Sequence, residues 1–332
     1  MGDAAQMPAR TTIACFGEAL IDFRAERADD GQRRFVEQPG GAPANVAVGV
    51  AALGGRARFI GMLAQDMFGD ALQTALSARG VDVSQVRRTG EAPTALAFVS
   101  LADDGERSFS FYRPPAADLM FTDADFVTNA FDDVAILHTC SNSMTAPAIA
   151  ATTLQAMARA NAAGALVSLD LNLRPALWPR GVDPSPTLWQ ALARAPLVKL
   201  SAEELAFLTG DGDTAETVAR LFAGDTRVLV VTDGAAPLRW WTRTRAGNAG
   251  TFRVDPIDTT AAGDAFVAGL LHRLVDRGVD RDGLVAAFES DTLRADLLRH
   301  GAAAGALATT RHGAFDAMPD AASLRALLEA AS

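Results

Sequence analysis

The segment Asp258-Thr259-Thr260-Ala261-Ala262-Gly263-Asp264-Ala265-Phe266 places three small residues and an acid where a long amphipathic helix is predicted to begin. The first N–H groups of a helix have no partner within the helix, so they form a natural site for an anion. Because residues 261–263 carry no bulky side chain, a phosphoryl group could approach these donors closely. The Asp264 carboxylate could then accept a proton from an attacking hydroxyl. The segment indicates phosphoryl transfer, and a helix simply capped by Thr259 or Thr260 is the alternative.

The elements that must position this segment follow an alternating pattern. Helical periodicity is strongest over 262–276 and also occurs over 146–162 and 202–208. Short apolar runs predict buried strands at 12–17, 59–63, 135–138, 165–171, 197–200 and 228–232. Strands that alternate with helices imply a parallel sheet covered on both faces. We therefore expect an α/β protein with three layers, α/β/α, and a mainly parallel sheet.

Two segments interrupt this alternation. Residues 18–40 and 93–116 alternate between apolar and charged positions, as strands with one solvated face do. Asp103-Asp104-Gly105 is typical of a turn between two strands. We expect these segments to form a small β-sheet lid inserted in a core of residues 12–17, 41–92 and 117–332.

The composition is that of a globular protein, with 49% hydrophobic and 21% charged residues among 332. Its 30 basic and 40 acidic residues give a net charge of −10. Nucleic acids and anionic membranes require a basic face, so neither is an expected partner. Cys15 and Cys140 lie in apolar runs, which argues against a disulfide framework. With no apolar run of membrane-spanning length and no signal peptide, we expect a cytoplasmic protein.

Two motifs carry a resemblance to a known family. The segment 258–266 closely resembles the DTxGAGD signature of the PfkB-type (ribokinase-like) carbohydrate kinases. The family's other signature is present as Gly40-Gly41-Ala42-Pro43-Ala44-Asn45-Val46-Ala47, and the order of segments agrees over about residues 12–320. Residues 17–23, 104–109, 111–113, 116–118, 170–174 and 199–205 resemble the fructokinase branch. The resemblance implies the ribokinase-like fold, ATP as phosphoryl donor and a small sugar as acceptor.

The resemblance also assigns residues to the transfer and to the sugar. Asp264 matches the general base, and the N–H groups of Ala261, Ala262, Gly263 and Asp264 match the anion hole. The positions that match those around the sugar are Asp22, Gly40, Gly41, Asn45, Arg113 and Arg174. The Gly-Gly pair would let a hydroxylated ligand approach the backbone, and Asp22 and Asn45 can bind vicinal hydroxyls.

Other matches concern the nucleotide and the ions. The resemblance places Asn172, Lys199, Ser201, Glu204, Thr232 and Gly234 on the nucleotide side. Glu204 would act on Mg²⁺ through water, since Mg²⁺ keeps much of its hydration. A monovalent cation, expected to be K⁺, would be held by Asp258 and by carbonyls of Thr260, Ala308, Arg311 and Gly313.

Two positions depart from the family pattern. Ala261 replaces the first glycine of GAGD, and Pro237 replaces the last glycine of the nucleotide-loop pattern TxGxxG. Ala261 would cost stability if its backbone needs a positive φ. Pro237 removes one N–H donor. Neither change removes a catalytic side chain.

The function expected from these features is ATP-dependent phosphorylation of a primary hydroxyl, with D-fructose to fructose 6-phosphate as the first choice. Rivals within the family are 2-keto-3-deoxygluconate kinase, aminoimidazole riboside kinase and ribokinase. A catalytically silent regulator that binds sugar or nucleotide is the alternative from another class. The absence of a GxxxxGK[ST] motif excludes a P-loop kinase. The resemblance further implies that lid sheets can pair into a homodimer.

Overall fold

A computed structural model describes residues 10–27, 30–101, 107–113 and 115–331, so the predicted turn at 103–105 lies outside the described residues. The strands are β1 (Thr12–Phe16), β2 (Leu20–Arg27), β3 (Arg33–Gly40), β4 (Arg56–Ala64), β5 (Asp82–Thr89), β6 (Leu96–Leu101), β7 (Arg107–Tyr112), β8 (Val134–Cys140), β9 (Leu166–Asp170), β10 (Leu197–Ser201), β11 (Val228–Asp233), β12 (Ala236–Trp241) and β13 (Ala246–Ala249). The α-helices are α1 (Ala42–Ala52), α2 (Met67–Ala78), α3 (Pro147–Ala162), α4 (Ser185–Leu192), α5 (Ala202–Thr209), α6 (Thr214–Ala223), α7 (Ala262–Asp276), α8 (Leu284–Glu289), α9 (Asp291–Ala308) and α10 (Ala321–Ala330).

Within the described ranges, nine strands form one large sheet in the order β13-β12-β11-β10-β9-β8-β1-β4-β5. Seven of these strands are parallel to one another, namely β11, β10, β9, β8, β1, β4 and β5, and β12 and β13 add an antiparallel edge. In a parallel sheet all carboxyl ends lie at the same edge, which is where ligands bind in open α/β sheets. The loops after β1, β8 and β9 therefore converge on one region.

The large sheet is covered on both faces. Along β1, Ile13 and Cys15 face a core that includes α1, α7 and α9, whereas Ala14 and Phe16 face a core that includes α3, α4 and α5. Every residue of β1 is buried, as expected for a strand with helices on both sides. The predicted three-layer α/β/α fold with a mainly parallel sheet is confirmed.

A second sheet of four described strands has the order β3-β2-β6-β7. β2 pairs with β3 antiparallel and with β6 parallel, and β6 pairs with β7 antiparallel. Phe98 of β6 contacts Phe23 of β2, Phe35 of β3 and Tyr112 of β7, with ring centroids 5.1 to 5.4 Å apart. Phe23 also packs edge-on against Phe68 of α2 at 5.7 Å, which connects this sheet to the core. All four strands come from the segments predicted to form a lid, whereas the division into lid and core domains remains a prediction.

Helix α7 is packed closely by helices on either side. A Cβ on Gly49 of α1 would lie 2.6 Å from Cβ of Ala268, and a Cβ on Gly269 would lie 2.7 Å from Cβ of Ala304 in α9. The glycines let three helix backbones approach one another, so the position of the α7 N-terminus is determined by packing along its length.

Several elements differ from the sequence predictions. β5 and α6 were not predicted, because β5 is a half-exposed edge strand with four charged or amide side chains and lacks a clear apolar period. The segment 282–299, for which the sequence suggested only helix, contains α8 and the first half of α9. Cys15 and Cys140 are buried free thiols. None of the helices in the described ranges has the length and apolarity needed to cross a bilayer.

Candidate active site

A cavity of about 500 Å³ opens at the carboxyl edge of the large sheet, between the N-terminus of α7 and the second sheet. Asp22 and Gln38 line it from β2 and β3, and Asn45 lines it from α1. Asn172 and Arg174 reach it from the loop after β9, and Asp264 from the first turn of α7. Five segments, spread along the chain from residue 22 to residue 264, thus contribute polar groups to this cavity.

Asp264 is the central acid of this cavity, and only 7% of its surface is exposed. Asn45 donates an Nδ2–H to its Oδ2 at 2.7 Å, and Asn172 donates an Nδ2–H to its Oδ1 at 3.2 Å. Each carboxylate oxygen keeps a further lone pair, because a carboxylate can accept about four hydrogen bonds. The acid is therefore oriented by two amides and can still accept a proton.

The electrostatics of the cavity favour the neutral form of its acids. Burial raises the pKa of Asp264 to about 7, although the hydrogen bond from Asn45 opposes this, and the charge of Asp170 adds to it. Burial and then the charge of Asp264 raise the pKa of Asp22 to about 7 as well. A carboxyl whose pKa lies near neutrality is well matched to taking a proton from an alcohol in its transition state.

The start of α7 has an unusual backbone. Ala261 precedes the helix with φ 57° and ψ 11°, in the left-handed region where a Cβ is strained. Ala265 N–H donates to Ala261 O at 2.8 Å, and Ala262 N–H makes a long bond of 3.4 Å to Thr259 O. A Cβ on Gly263 would lie 3.2 Å from Nζ of Lys199. The predicted anion hole at 261–264 therefore has a lysine ammonium beside it, although its use remains a prediction.

The glycines of the predicted sugar site are required by close contacts. A Cβ on Gly40 would clash with Oδ2 of Asp22, and a Cβ on Gly41 would lie 2.6 Å from the carbonyl oxygen of Glu18. Gly41 also has φ 104°, which disfavours any side chain. The structure thus brings Asp22, Gly40, Gly41 and Asn45 to the same wall as Asp264.

Arg113, predicted to contact the sugar, is buried in the structure. It is 2% exposed, and it is absent from the described residues that line the cavity. Its Nε–H and Nη2–H donate to Oδ2 of Asp118, and its Nη1–H donates to Oγ1 of Thr145 at 3.1 Å. Arg113 thus forms a buried ion pair with Asp118 outside the described cavity lining, and its contact with the sugar stays a prediction. Sequence alone could not show this, because the partner is chosen by the turn at 117–120.

Arg174 and Asn172 follow β9, at the carboxyl edge of the large sheet where α/β folds bind ligands. Both line the cavity, and Asn172 contacts Asp264 beside the predicted anion hole, so its place near the phosphates stays a prediction. Asn172 has φ 41°, one of two described non-glycine residues with a positive φ. Such backbone conformations concentrate at functional sites.

Of the residues predicted for the nucleotide side, Lys199 and Ser201 lie in β10 and Glu204 lies in the first turn of α5. Lys199 is buried and donates to both oxygens of Asp170 at 3.1 and 3.0 Å. Glu204 is also buried and accepts from the backbone N–H of Leu173 at 2.8 Å and of Ser201 at 2.7 Å. Ser201 and Glu204 form a capping box at the start of α5.

Thr232 lies beside Ser201 at the end of β11, where its Oγ1–H donates to Leu200 O at 3.4 Å, and Gly234 follows in the hairpin turn. Pro237 occupies β12 beside an irregularity in the pairing of β11 with β12. A proline can occupy such a bulge because the regular ladder bond is already lost there.

Two of the predicted ligands of a monovalent cation, Thr260 and Gly313, lie beside Asp258, which is 3% exposed. Its Oδ1 accepts from Thr260 N–H at 2.8 Å and its Oδ2 from Gly313 N–H at 3.2 Å. The N–H groups of Ile257 and Asp258 donate to Thr309 O at 2.7 and 3.0 Å. The loop after α9 is thereby attached to the segment that precedes α7.

Glu18 and Asn142 are two of the cavity residues that were not predicted. Glu18 follows β1 and Asn142 follows β8, and both line the cavity while being almost fully buried. The signal that could have indicated them is their position, since each is a polar residue just after a buried parallel strand.

We expect Ala261→Gly to stabilise the protein by about 0.5–1 kcal/mol, because it relieves a left-handed alanine and this outweighs the entropy of an added glycine. The free energy of unfolding in urea measures the change. Ala262→Gly is the matched control: it lies in the helix and should destabilise by about 0.5–1 kcal/mol. Equal destabilisation by both variants would show that Ala261 is not strained.

Comparisons with known proteins agree with this architecture. The family described as pfkB family carbohydrate kinase matches residues 10–321. Fructokinase-1 of Oryza sativa subsp. japonica is 38% identical over 323 residues, which cover 96% of this chain and 98% of that protein. The crystal structure of fructokinase from Xylella fastidiosa with bound ATP has 49% identity and a TM-score of 0.93, covering 97% of this chain and 99% of that one. Fructokinase from Vibrio cholerae O395, with fructose, ADP and calcium bound, has 34% identity and a TM-score of 0.85 over 96% of this chain and 99% of that one. The chain therefore belongs to the PfkB family of carbohydrate kinases.

Proposed function

We propose that this carbohydrate kinase transfers a phosphoryl group from ATP to the 6-hydroxyl of D-fructose. The observation that carries the proposal is the buried Asp264 carboxylate, oriented by Asn45 and Asn172 at the N-terminus of α7. The similar proteins from rice, Xylella fastidiosa and Vibrio cholerae are named fructokinases, which supports fructose as the acceptor.

In this proposal Asp264 takes the proton of the attacking hydroxyl as the new P–O bond forms. Asn45 and Asn172 keep the carboxylate in position, so the transfer does not have to wait for the acid to reorient. The N–H groups at the start of α7 and the nearby ammonium of Lys199 oppose the negative charge on the transferring group. Base and anion site thus belong to the same helix turn.

The charges around the cavity favour a neutral sugar over a sugar acid. An arginine that recognises a carboxylate needs free donors, and Arg113 has committed three of its groups to Asp118 and Thr145. The described cavity wall carries four acids, Glu18, Asp22, Asp258 and Asp264, against two arginines, Arg24 and Arg174, of which Arg24 is paired with Glu26. A carboxylate placed among these acids would be repelled wherever they are ionised. Fructose is therefore preferred to 2-keto-3-deoxygluconate.

Magnesium and a monovalent cation complete the proposal. Glu204 has one backbone N–H on each oxygen and a lone pair left on each, so it fits a contact to Mg²⁺ through water and not direct ligation. The ion would neutralise phosphate charge. For K⁺, the buried Asp258 carboxylate supplies the negative charge, and carbonyls of the adjoining loop, which is attached to it through Gly313 N–H, would complete the site.

The second sheet would act as a lid over the sugar. It contributes Asp22 and Gln38 to the cavity, and a Cβ on Gly313 would lie 3.1 Å from Nε2 of Gln38. The sheet therefore reaches the loop beside Asp258, a position from which it can exclude water from the transfer.

Asp264→Asn should lower turnover by about 10²–10⁴-fold while the melting temperature stays within a few degrees, because the base is lost and the shape is kept. Coupled ADP release with ATP and fructose, ribose, an aminoimidazole riboside and 2-keto-3-deoxygluconate measures the activity and the preference together. Asp70→Asn, in the first turn of α2, is the control and should retain full turnover. A folded Asp264→Asn variant with normal turnover would exclude Asp264 as the base. If the unaltered protein released no ADP with any of these sugars, the silent regulator would be favoured.

The pH profile should report the raised pKa of Asp264 and Asp22, about 7 for each. An acid must be ionised to accept a proton, so kcat/KM should fall at least about tenfold per pH unit below pH 7 and level off above it. Because the two acids interact, the apparent value belongs to the pair. A profile that stays flat from pH 5.5 to 8 would contradict this assignment.

Potassium should raise turnover several-fold over tetramethylammonium at equal ionic strength, because a cation beside Asp258 orders the loop before α7 and adds positive field. Asp258→Asn should remove most of this difference. Equal rates of the unaltered enzyme in the two salts would mean that the site has no role in turnover.

The exposed side of the second sheet is the proposed surface for a homodimer. Phe35 and Tyr112 are 44% and 66% exposed there, on the face that carries Phe98. Tyr112→Glu should raise the dimer dissociation constant by at least about tenfold, because it places a charge in an apolar contact. Sedimentation velocity measures this, with Val182→Glu, at an apolar residue 52% exposed elsewhere, as the control. A monomeric unaltered protein at all concentrations would exclude the dimer.

A further inference from the structure

A short turn after β8 places one amide against the cavity. Residues Ser141–Met144 form this 3₁₀ turn, and Asn142 lies 6% exposed on the cavity wall. Its Nδ2–H donates to Oε1 of Glu18 at 3.2 Å. Its Oδ1 is buried and has no hydrogen-bond partner among the described residues. An unpaired buried acceptor is costly, so a ligand hydroxyl that donates to it would gain a full hydrogen bond.

The orientation of this amide follows from Glu18. The Glu18 carboxyl lies 2% exposed and accepts from Ala42 N–H at 3.3 Å and from Ser143 Oγ–H at 3.2 Å, besides Asn142. Since a carboxylate only accepts, the NH₂ side of the Asn142 amide must face it. The carbonyl side is thereby directed away from Glu18, and the amide cannot rotate without losing its partner.

The charge of Glu18 is supported from behind. Burial raises the pKa of Glu18, and the nearby positive charge of Arg113 opposes this rise. Arg113 is in turn held by Asp118 and Thr145. Arg113 therefore contributes indirectly, by favouring the ionised form of Glu18, the acceptor for Asn142.

We propose that Asn142 is a specificity-determining residue whose Oδ1 accepts a hydrogen bond from a sugar hydroxyl other than the phosphorylated one, and that Glu18 is the residue that positions it. The inference deepens the proposed function and rests on it for the identity of the sugar. An acceptor at this point favours a hydroxyl over hydrogen, and over any ligand group that offers only lone pairs.

The test combines two variants with deoxy analogues. Fructose and its 1-, 3- and 4-deoxy analogues are titrated by calorimetry for Kd and assayed by ADP release for kcat and KM. Asn142→Ala removes the acceptor, and Glu18→Gln keeps the volume but lets the amide turn. Ser141→Ala is the matched control, because Ser141 lies in the same turn with a buried unpaired hydroxyl and is not among the described cavity residues. Melting temperatures are measured for all three variants.

Asn142→Ala should weaken fructose about tenfold in Kd and KM with a smaller change in kcat, because one hydrogen bond to the bound sugar is lost. One deoxy analogue that binds the unaltered protein poorly should bind this variant as well as fructose does. Glu18→Gln should reduce the same discrimination, which a merely structural role would not do, and Ser141→Ala should leave it intact. Should Asn142→Ala fail to fold, Glu18→Gln alone decides.

The inference is overturned if the folded variants discriminate against every deoxy analogue as the unaltered protein does. Failure of the proposed function has a different signature. Fructose that binds with the expected discrimination but releases no ADP would remove the kinase activity on fructose and leave the role of Asn142 standing. A preference for 2-keto-3-deoxygluconate in both assays would overturn the two together.

Discussion

The burial of one carboxylate constrains the arrangement of the whole site. Asp264 lies almost out of contact with water, and an unpaired carboxylate there would be strongly destabilising. The two amides that offset this cost come from α1 and from the loop after β9. The acid thus links three segments of the chain, and any shift of α7 would leave the acid or an amide without its partner. The same burial raises the pKa of Asp264 to about 7. Burying the acid therefore costs stability, but it gives the proposed base a pKa near neutrality.

The rest of the fold holds this helix end still. Glycines in α1 and α7 allow close contact with α7 and α9, and the loop after α9 bonds to the segment that precedes α7. The strained Ala261 persists within these constraints, since surrounding contacts determine its backbone. The site is therefore built on packed helices and strand ends.

The two buried cations near the cavity have different neighbours. Lys199 and Arg113 are both buried cations, but Lys199 lies beside the start of α7 whereas Arg113 is paired with Asp118 behind Glu18. A buried ion pair of this kind adds little net stability, yet removing one partner is costly. The positive charge of Arg113 also opposes the rise in the pKa of Glu18, the carboxyl that accepts from Asn142.

The sequence by itself determined the fold class and the catalytic segment. Alternating apolar runs and helical periods predict a covered parallel sheet, and the two signatures around Asn45 and Asp264 identified the family that the comparisons confirm. These features are local, since they depend on the spacing of residues along one segment. Edge elements such as β5 escaped prediction because a half-exposed strand has no clear period.

Only the tertiary structure decided which polar side chains meet. The sequence did not show that Asn172 contacts Asp264 or that Arg113 pairs with Asp118. Glu18 and Asn142 were missed altogether, although each follows a buried strand. Asn142 and Glu18 are 124 residues apart in the chain and Asn172 and Asp264 are 92 apart, so the folding of distant segments sets these hydrogen bonds and no local spacing encodes them. The sequence therefore determined what chemistry is available, and the packing of strand ends against α7 determined which side chains perform it.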